Sequence, residues 1–181
     1  VRRALLLLAV LIVPSSAFAQ TQEARGSVAG IVGAGKTWDD ESDIGSGAVA
    51  GARVDWRLFG GTRVEFAFDW LDHDRTGVFA STGRTSLFSG SLLQRFGTRS
   101  AQPYVLGGLT IAQHSGTTTF EDLARSTTTT DAGFHFGGGL AVRVGERFEV
   151  GPEARFYIIS ASDSASPAWA NWIGARFGVR F

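Results

Sequence analysis

His114 and Ser115 are adjacent, and Glu121 and Asp122 follow them. A serine nucleophile, an imidazole base and an orienting acid are the parts of a hydrolytic site. Neighbouring residues of an extended strand point to opposite faces, however, so His114 and Ser115 meet only if the chain bends between them. His73 and His135 are dispersed elsewhere, and single scattered histidines read as rim or lumen hydrogen-bonding groups rather than a metal site. The chain has no Cys, which excludes a disulfide framework, a thiolate metal site and a thiol nucleophile. Asp39, Asp40, Glu41 and Asp43 form an acidic run without the ligand spacing of a calcium loop, and it reads as a solvated loop. The residue types therefore assign no catalytic group, no metal ligand and no cofactor.

The larger set of ionisable groups is spread along the chain at even spacings. Arg53, Asp55 and Arg57 form one group, Arg63, Glu65 and Asp69 a second, Glu149, Glu153 and Arg155 a third, and Arg176 and Arg180 a fourth, with Arg143 alone. The positions of opposite parity are apolar: Val54, Trp56 and Leu58; Val64, Phe66, Phe68 and Trp70; Phe134, Phe136, Val142 and Val144; Phe148, Val150, Phe156 and Ile158; Ile173, Phe177, Val179 and Phe181. Chance would place every charge of these five segments on one parity roughly one time in a hundred. Period-two alternation is that of a strand with one apolar and one polar face. Both signs of charge are present, so they can pair with one another. The predicted charge network is Arg53, Asp55, Arg57, Glu65, Asp69, Arg143, Glu149, Glu153, Arg155 and Arg176.

These faces need elements to carry them. Strands are predicted at 27–38, 46–59, 62–71, 85–96, 103–114, 133–145, 148–159 and 171–181. The fourth is noisier than the rest, and the first and fifth are too rich in Gly and Ala for their faces to be assigned. Short connections (60–61, 97–102, 145–147) alternate with longer ones (39–45, 72–83, 115–131, 160–167), as in an up-and-down barrel with periplasmic turns and extracellular loops. Pro152 has no N–H for a ladder, so a bulge or local break is expected there. Aromatic residues fall near predicted strand ends: Trp38, Trp70, Phe134 and Trp169 at the outer rim, and Trp56, Phe96, Tyr104, Phe148 and Phe181 at the inner.

A soluble barrel or sandwich would bury the large apolar face. Here the charged face has to be the interior, because Arg or Lys turned to lipid at mid-bilayer costs ~2–4 kcal/mol. The 24 glycines suit a narrow barrel with a crowded interior. At the amino terminus Arg2-Arg3, the apolar run 4–13 and Ala17-Phe18-Ala19 read as a secretory signal peptide over 1–19, leaving 20–181 as one barrel domain. Two of the 17 basic residues leave with the leader, against 17 acidic ones, so the mature charge is −2 and a nucleic-acid partner is excluded. The expected fold is all-β: an eight-stranded antiparallel up-and-down transmembrane β-barrel.

The stretches 91–96, 103–109, 136–140, 152–157 and the terminal strand resemble the small outer-membrane barrels of the OmpA-, OmpX- and opacity-protein-like superfamily. The resemblance spans 25–181. It implies an integral outer-membrane location in contact with outer-membrane lipid and lipopolysaccharide, and a monomer. It also implies that Phe177, Val179 and Phe181 present the chain to the barrel-insertion machinery. Members of that superfamily are adhesins, invasion factors, anchors and narrow pores, and fold does not choose among these. Three readings follow. The first is a structural or surface-recognition role through the outer loops, with Phe120 of the long Thr-rich third loop as candidate contact. The second is a narrow pore, opposed by an eight-stranded interior that side chains fill. The third is a lipid A-modifying enzyme, for which the His and Ser two apart on one face, as in lipid A deacylases, are absent.

Overall fold

The structure is a computed structural model describing residues 24–38, 43–75, 81–97, 100–120, 123–160 and 168–181. The predicted leader, Asp39, Asp40, Glu41, Glu121 and Asp122 lie outside the described residues. The chain forms eight strands: β1 (Gly26–Trp38), β2 (Asp43–Phe59), β3 (Thr62–Arg75), β4 (Ser81–Arg95), β5 (Ala101–Phe120), β6 (Leu123–Val144), β7 (Phe148–Ser160) and β8 (Ala168–Arg180). Each strand pairs with the next, and β8 returns to β1, so the antiparallel sheet is a closed barrel. Closure leaves no unpaired edge, a condition for placing strands in lipid.

Side chains alternate across the wall as the charge parity requires. Arg53, Asp55, Glu65, Asp69, Glu149, Glu153, Arg155 and Arg176 are buried inside, while Phe66, Phe134, Phe136, Leu109 and Ile173 stand exposed on the outside. The two unassigned strands now have faces. In β1, Ser27, Ala29, Ile31 and Thr37 point in, and Val28 and Val32 point out. In β5, Gln102, Tyr104, Leu106, Thr110 and Ala112 point in, and Val105, Leu109 and Ile111 point out. Tyr104, expected in the inner aromatic girdle, is buried in the lumen. β4 read as noisy because it turns Leu87 and Leu93 inward among Ser89, Ser91 and Arg95.

The strands run further toward the long-loop end than expected. β5 and β6 continue through most of the predicted third loop, with twenty consecutive pairs from Ala101↔Val142 to Phe120↔Leu123. Beyond the bilayer an outward face no longer has to be apolar, and Thr-rich segments favour the extended backbone. Pro152 breaks the wall on one side only. Its pairing with β8 is continuous, and pairing with β6 lapses between Gly139↔Glu153 and Val142↔Val150 without a change of register. The expected disturbance is thus a gap in one ladder, with no inserted residue.

Gly139 lies opposite Tyr104 in the β5–β6 ladder. A Cβ at Gly139 would stand 2.5 Å from the Tyr104 hydroxyl oxygen, so the glycine makes room for the inward ring. Gly139→Val is therefore expected to destabilise the barrel by ~1–3 kcal/mol through overpacking. Gly90→Ala, where the nearest atom is 4.0 Å away on the outer face, is expected to be neutral. Urea unfolding in detergent, followed by the heat-dependent gel mobility of the barrel, measures both. Equal midpoints for the two variants would contradict this account.

Candidate functional site: the lumen and the loop end

Arg176 of β8 is the hub of the lumen. Its guanidinium reaches Asp55 at 2.8 Å, Glu65 at 3.1 Å, and Glu149 and Glu153 each at 3.4 Å. Those carboxylates come from β2, β3 and β7, so one cation ties opposite walls together. Arg155 adds Glu65 at 2.6 Å and donates from Nε to Glu153 at 2.7 Å. Arg53 pairs with Asp69, whose other oxygen accepts from the Tyr157 hydroxyl at 2.6 Å. Tyr104 donates to Glu153 at 2.6 Å. Arg95 holds Glu149 at 2.7 Å, and Arg63 and Ser27 both engage Asp55. Burying charges carries a large desolvation cost, which pairing with good geometry and hydrogen bonds to the remaining atoms can offset.

Arg53, Asp55, Glu65, Asp69, Glu149, Glu153, Arg155 and Arg176 join one ion-pair and hydrogen-bond cluster. Arg57 and Arg143 sit half-buried, one near the turn-side end of β2 and the other near that of β6. The structure adds Arg63, Arg95 and Tyr104. Arg63 and Arg95 lay on the charged parity in the sequence. Tyr104 is expected from the sequence in the inner girdle, because its strand is too rich in Gly and Ala to show which parity faces inward.

Nearer the loops the lumen changes character. Ile31, Val49, Leu71, Leu87, Ile159, Ala112 and Ala170 form a buried apolar cluster with Tyr157 and Trp172. On β2, β3, β7 and β8 the members Val49, Leu71, Ile159 and Ala170 each lie nearer the loops than Arg53, Asp69, Arg155 and Arg176 of the same strand. Arg53 and Arg155 lie 5.4 and 5.8 Å from the Trp172 ring centre, at the junction of charged and apolar layers. Beyond the apolar layer come Thr37, Thr85, His114 and Asp131. The lumen is therefore filled twice over, first by ion pairs and then by hydrocarbon.

The candidate hydrolytic pair does not assemble. β5 runs straight through both residues, so His114 turns into the barrel, where its Nδ1 is 2.9 Å from the Thr85 hydroxyl, and Ser115 is exposed on the other face. His135 is held between Ser91 and Thr110 at 2.7 and 2.8 Å, buried in the wall. No cluster of three or more His, Cys, Asp or Glu able to hold a metal occurs among the described residues. The backbone of Phe120 ends β5 opposite Leu123; its side chain, like that of His73, lies outside the described residues.

On the outer surface Phe177, Val179 and Phe181 are exposed along β8. Phe181 exchanges two backbone hydrogen bonds of 3.0 Å with Gly26, and its ring meets Trp56 edge-on at 5.4 Å. The model of the outer membrane protein beta-barrel domain matches residues 5–181. The chain belongs to that family. It is accordingly an integral outer-membrane protein. The family's fold recurs in Neisserial surface protein A (12% identity, 89% of this chain and 100% of that one covered, TM-score 0.70). It recurs in the attachment invasion locus protein Ail of Yersinia pestis (12%, 87% and 99%, TM-score 0.60) and in the outer membrane enzyme PagL (16%, 84% and 99%, TM-score 0.53). No curated protein sequence matches the chain.

Glu153 accepts from Tyr104, Arg155 and Arg176 and lies 3.6 Å from Arg53. Glu153→Ala leaves three buried guanidinium groups short of a counter-charge and is expected to lose about 3–5 kcal/mol of stability. An unfolding midpoint equal to that of the unchanged protein would show that the network does not hold the barrel.

Proposed function

We propose that this family member is a rigid, closed barrel whose working surface is its loop end, with an adhesin-like recognition role carried above all by the β5–β6 hairpin. The observation that carries this reading is the filled lumen beneath a hairpin of 20- and 22-residue strands, against 13 residues each in β1 and β8. A rigid scaffold presenting an extended polar element is a common design for binding. In this reading residues 1–19 direct export, Phe177, Val179 and Phe181 present β8 to the insertion machinery, and the protein acts as a monomer with its loops extracellular.

A passive pore is disfavoured by the buried apolar layer of Ile31, Val49, Leu71, Leu87 and Ile159. Hydrolysis is disfavoured because His114 and Ser115 face opposite sides of the wall.

Planar-bilayer recordings of the folded protein are expected to be silent. Reproducible conductance steps would replace the sealed lumen with a pore. Deleting residues 117–129 is expected to abolish adhesion of cells displaying the protein while its heat-dependent gel mobility persists. Adhesion that survives the deletion would remove the hairpin from the recognition surface.

A further inference from the structure

The inward charges are unevenly divided along the bore. At the turn end, the inward parity of the described strands carries Arg57, Arg63, Arg95, Arg143 and Arg180. The inward carboxylates there are Asp55 and Glu149. Arg57 stands directly opposite Arg63 in the β2–β3 ladder, and like charges in that relation repel. Two more arginines border the mouth. The Arg25 carbonyl accepts from the Arg57 N–H at 2.8 Å, and the Arg147 carbonyl accepts from the Arg180 N–H at 2.7 Å. Both are exposed, as is Glu146 beside Arg147. A chain with a slight excess of acidic residues after its predicted leader thus gathers a positive field at one end of its bore.

The two carboxylates are already occupied. Asp55 accepts from Ser27 and Arg63, from Arg176 at 2.8 Å and from Arg95 at 3.5 Å. Glu149 accepts from Arg95 at 2.7 and 3.0 Å and from Ser27 at 3.3 Å, and lies 3.4 Å from Arg176. A carboxylate offers about four lone-pair sites, so neither has a good position left. What remains for Arg180 is a 4.0 Å approach of its Nε to Glu149. That Nε is buried with no hydrogen-bond acceptor among the described residues, and only 9% of the side chain is open. Arg143, Arg95 and Arg63 are near enough to act on it with the same sign of charge. Arg143 has contacts of its own and contributes field. A buried guanidinium with an orphan donor, one distant carboxylate and three like charges around it is short of a counter-anion.

We propose that the turn-side mouth of the bore binds a compact multivalent oxyanion of the phosphate class, with Arg180 as the principal donor and Arg143, Arg95 and Arg63 supplying the field. Guanidinium groups meet phosphate oxygens through charge-assisted hydrogen bonds. These side chains lie on the inward face, so the ligand enters from the periplasm and not from the bilayer. Next along the bore stand Arg176 and the Tyr104 ring, 5.7 Å apart. An eight-stranded bore is narrow, so the occupant is a small anion and not a peptide or a lipid. Once bound, it braces the end of the barrel where the network lacks negative charge. The site is separate from the recognition surface at the loop end.

The test is calorimetric titration of the refolded protein in neutral detergent with inorganic phosphate, at an ionic strength held constant with chloride. Parallel titrations use acetate, and phosphatidylglycerol in mixed micelles. Saturable one-site binding of phosphate is expected. Arg180→Gln is expected to weaken it roughly tenfold, the loss of one charged hydrogen-bonding partner. Arg147→Gln removes the same charge from the exposed turn, where salt screens it, and is expected to leave the affinity within about twofold. Heat-dependent gel mobility establishes that both variants are folded. In the unaltered protein, saturating phosphate is expected to raise the urea midpoint above that in chloride of equal ionic strength, a readout that does not depend on any variant folding. Equal losses in Arg180→Gln and Arg147→Gln would reduce the site to a diffuse basic field and overturn the proposal. So would the absence of saturable binding or of a midpoint shift, acetate binding as tightly as phosphate, or binding confined to phosphatidylglycerol.

Discussion

In hydrocarbon there is no water to receive a stray N–H or carbonyl, and each one left unpaired costs several kcal/mol. Every strand of this chain therefore depends on the ladder being closed, and closure depends on the seam between β1 and β8. The seam joins the two ends of the barrel sequence, from Ser27↔Arg180 to Trp38↔Trp169, and is finished by the paired hydrogen bonds of Gly26 and Phe181. Without it the sheet would have two bare edges in lipid. The lapse at Gly151 and Pro152 against β6 is confined to two residues and compensated by an unbroken ladder to β8.

Closing eight strands leaves a bore so narrow that its contents are decided by packing. The charges that cannot face lipid are forced into this space, and they are arranged so that Arg176 meets four carboxylates from three strands. The result acts as an internal brace across the barrel. The apolar layer next to it packs Ile31, Val49, Leu71, Leu87 and Ile159 together on the inward face. In the proposed reading, recognition falls to the loop end.

The β3–β6 wall makes the barrel lopsided. The twenty-pair β5–β6 ladder projects past its neighbours, and β3 and β4 follow it part of the way through pairs such as Arg75↔Ser81. The outward face changes along β3 from Phe68 to Trp70 to Asp72, which pairs with Arg84 beside the Trp70 ring, and this matches the change of medium from hydrocarbon to headgroup.

The sequence by itself determined the fold class, the location and the inward-facing charges. Each follows from period-two alternation, which the bilayer enforces at every outward position. It did not reveal the faces of β1 and β5, because Gly and Ala satisfy either side. The apolar layer was hidden for a related reason: Leu71 and Leu87 lie on the inward parity near strand ends, where a one-residue uncertainty of boundary hides their direction. Which carboxylate meets which arginine, the entry of Tyr104 opposite Gly139, and the meeting of Asp72 with Arg84 and Trp70 depend on register between strands. Register is a property of the closed barrel, set by how eight strands pair and not by any one of them.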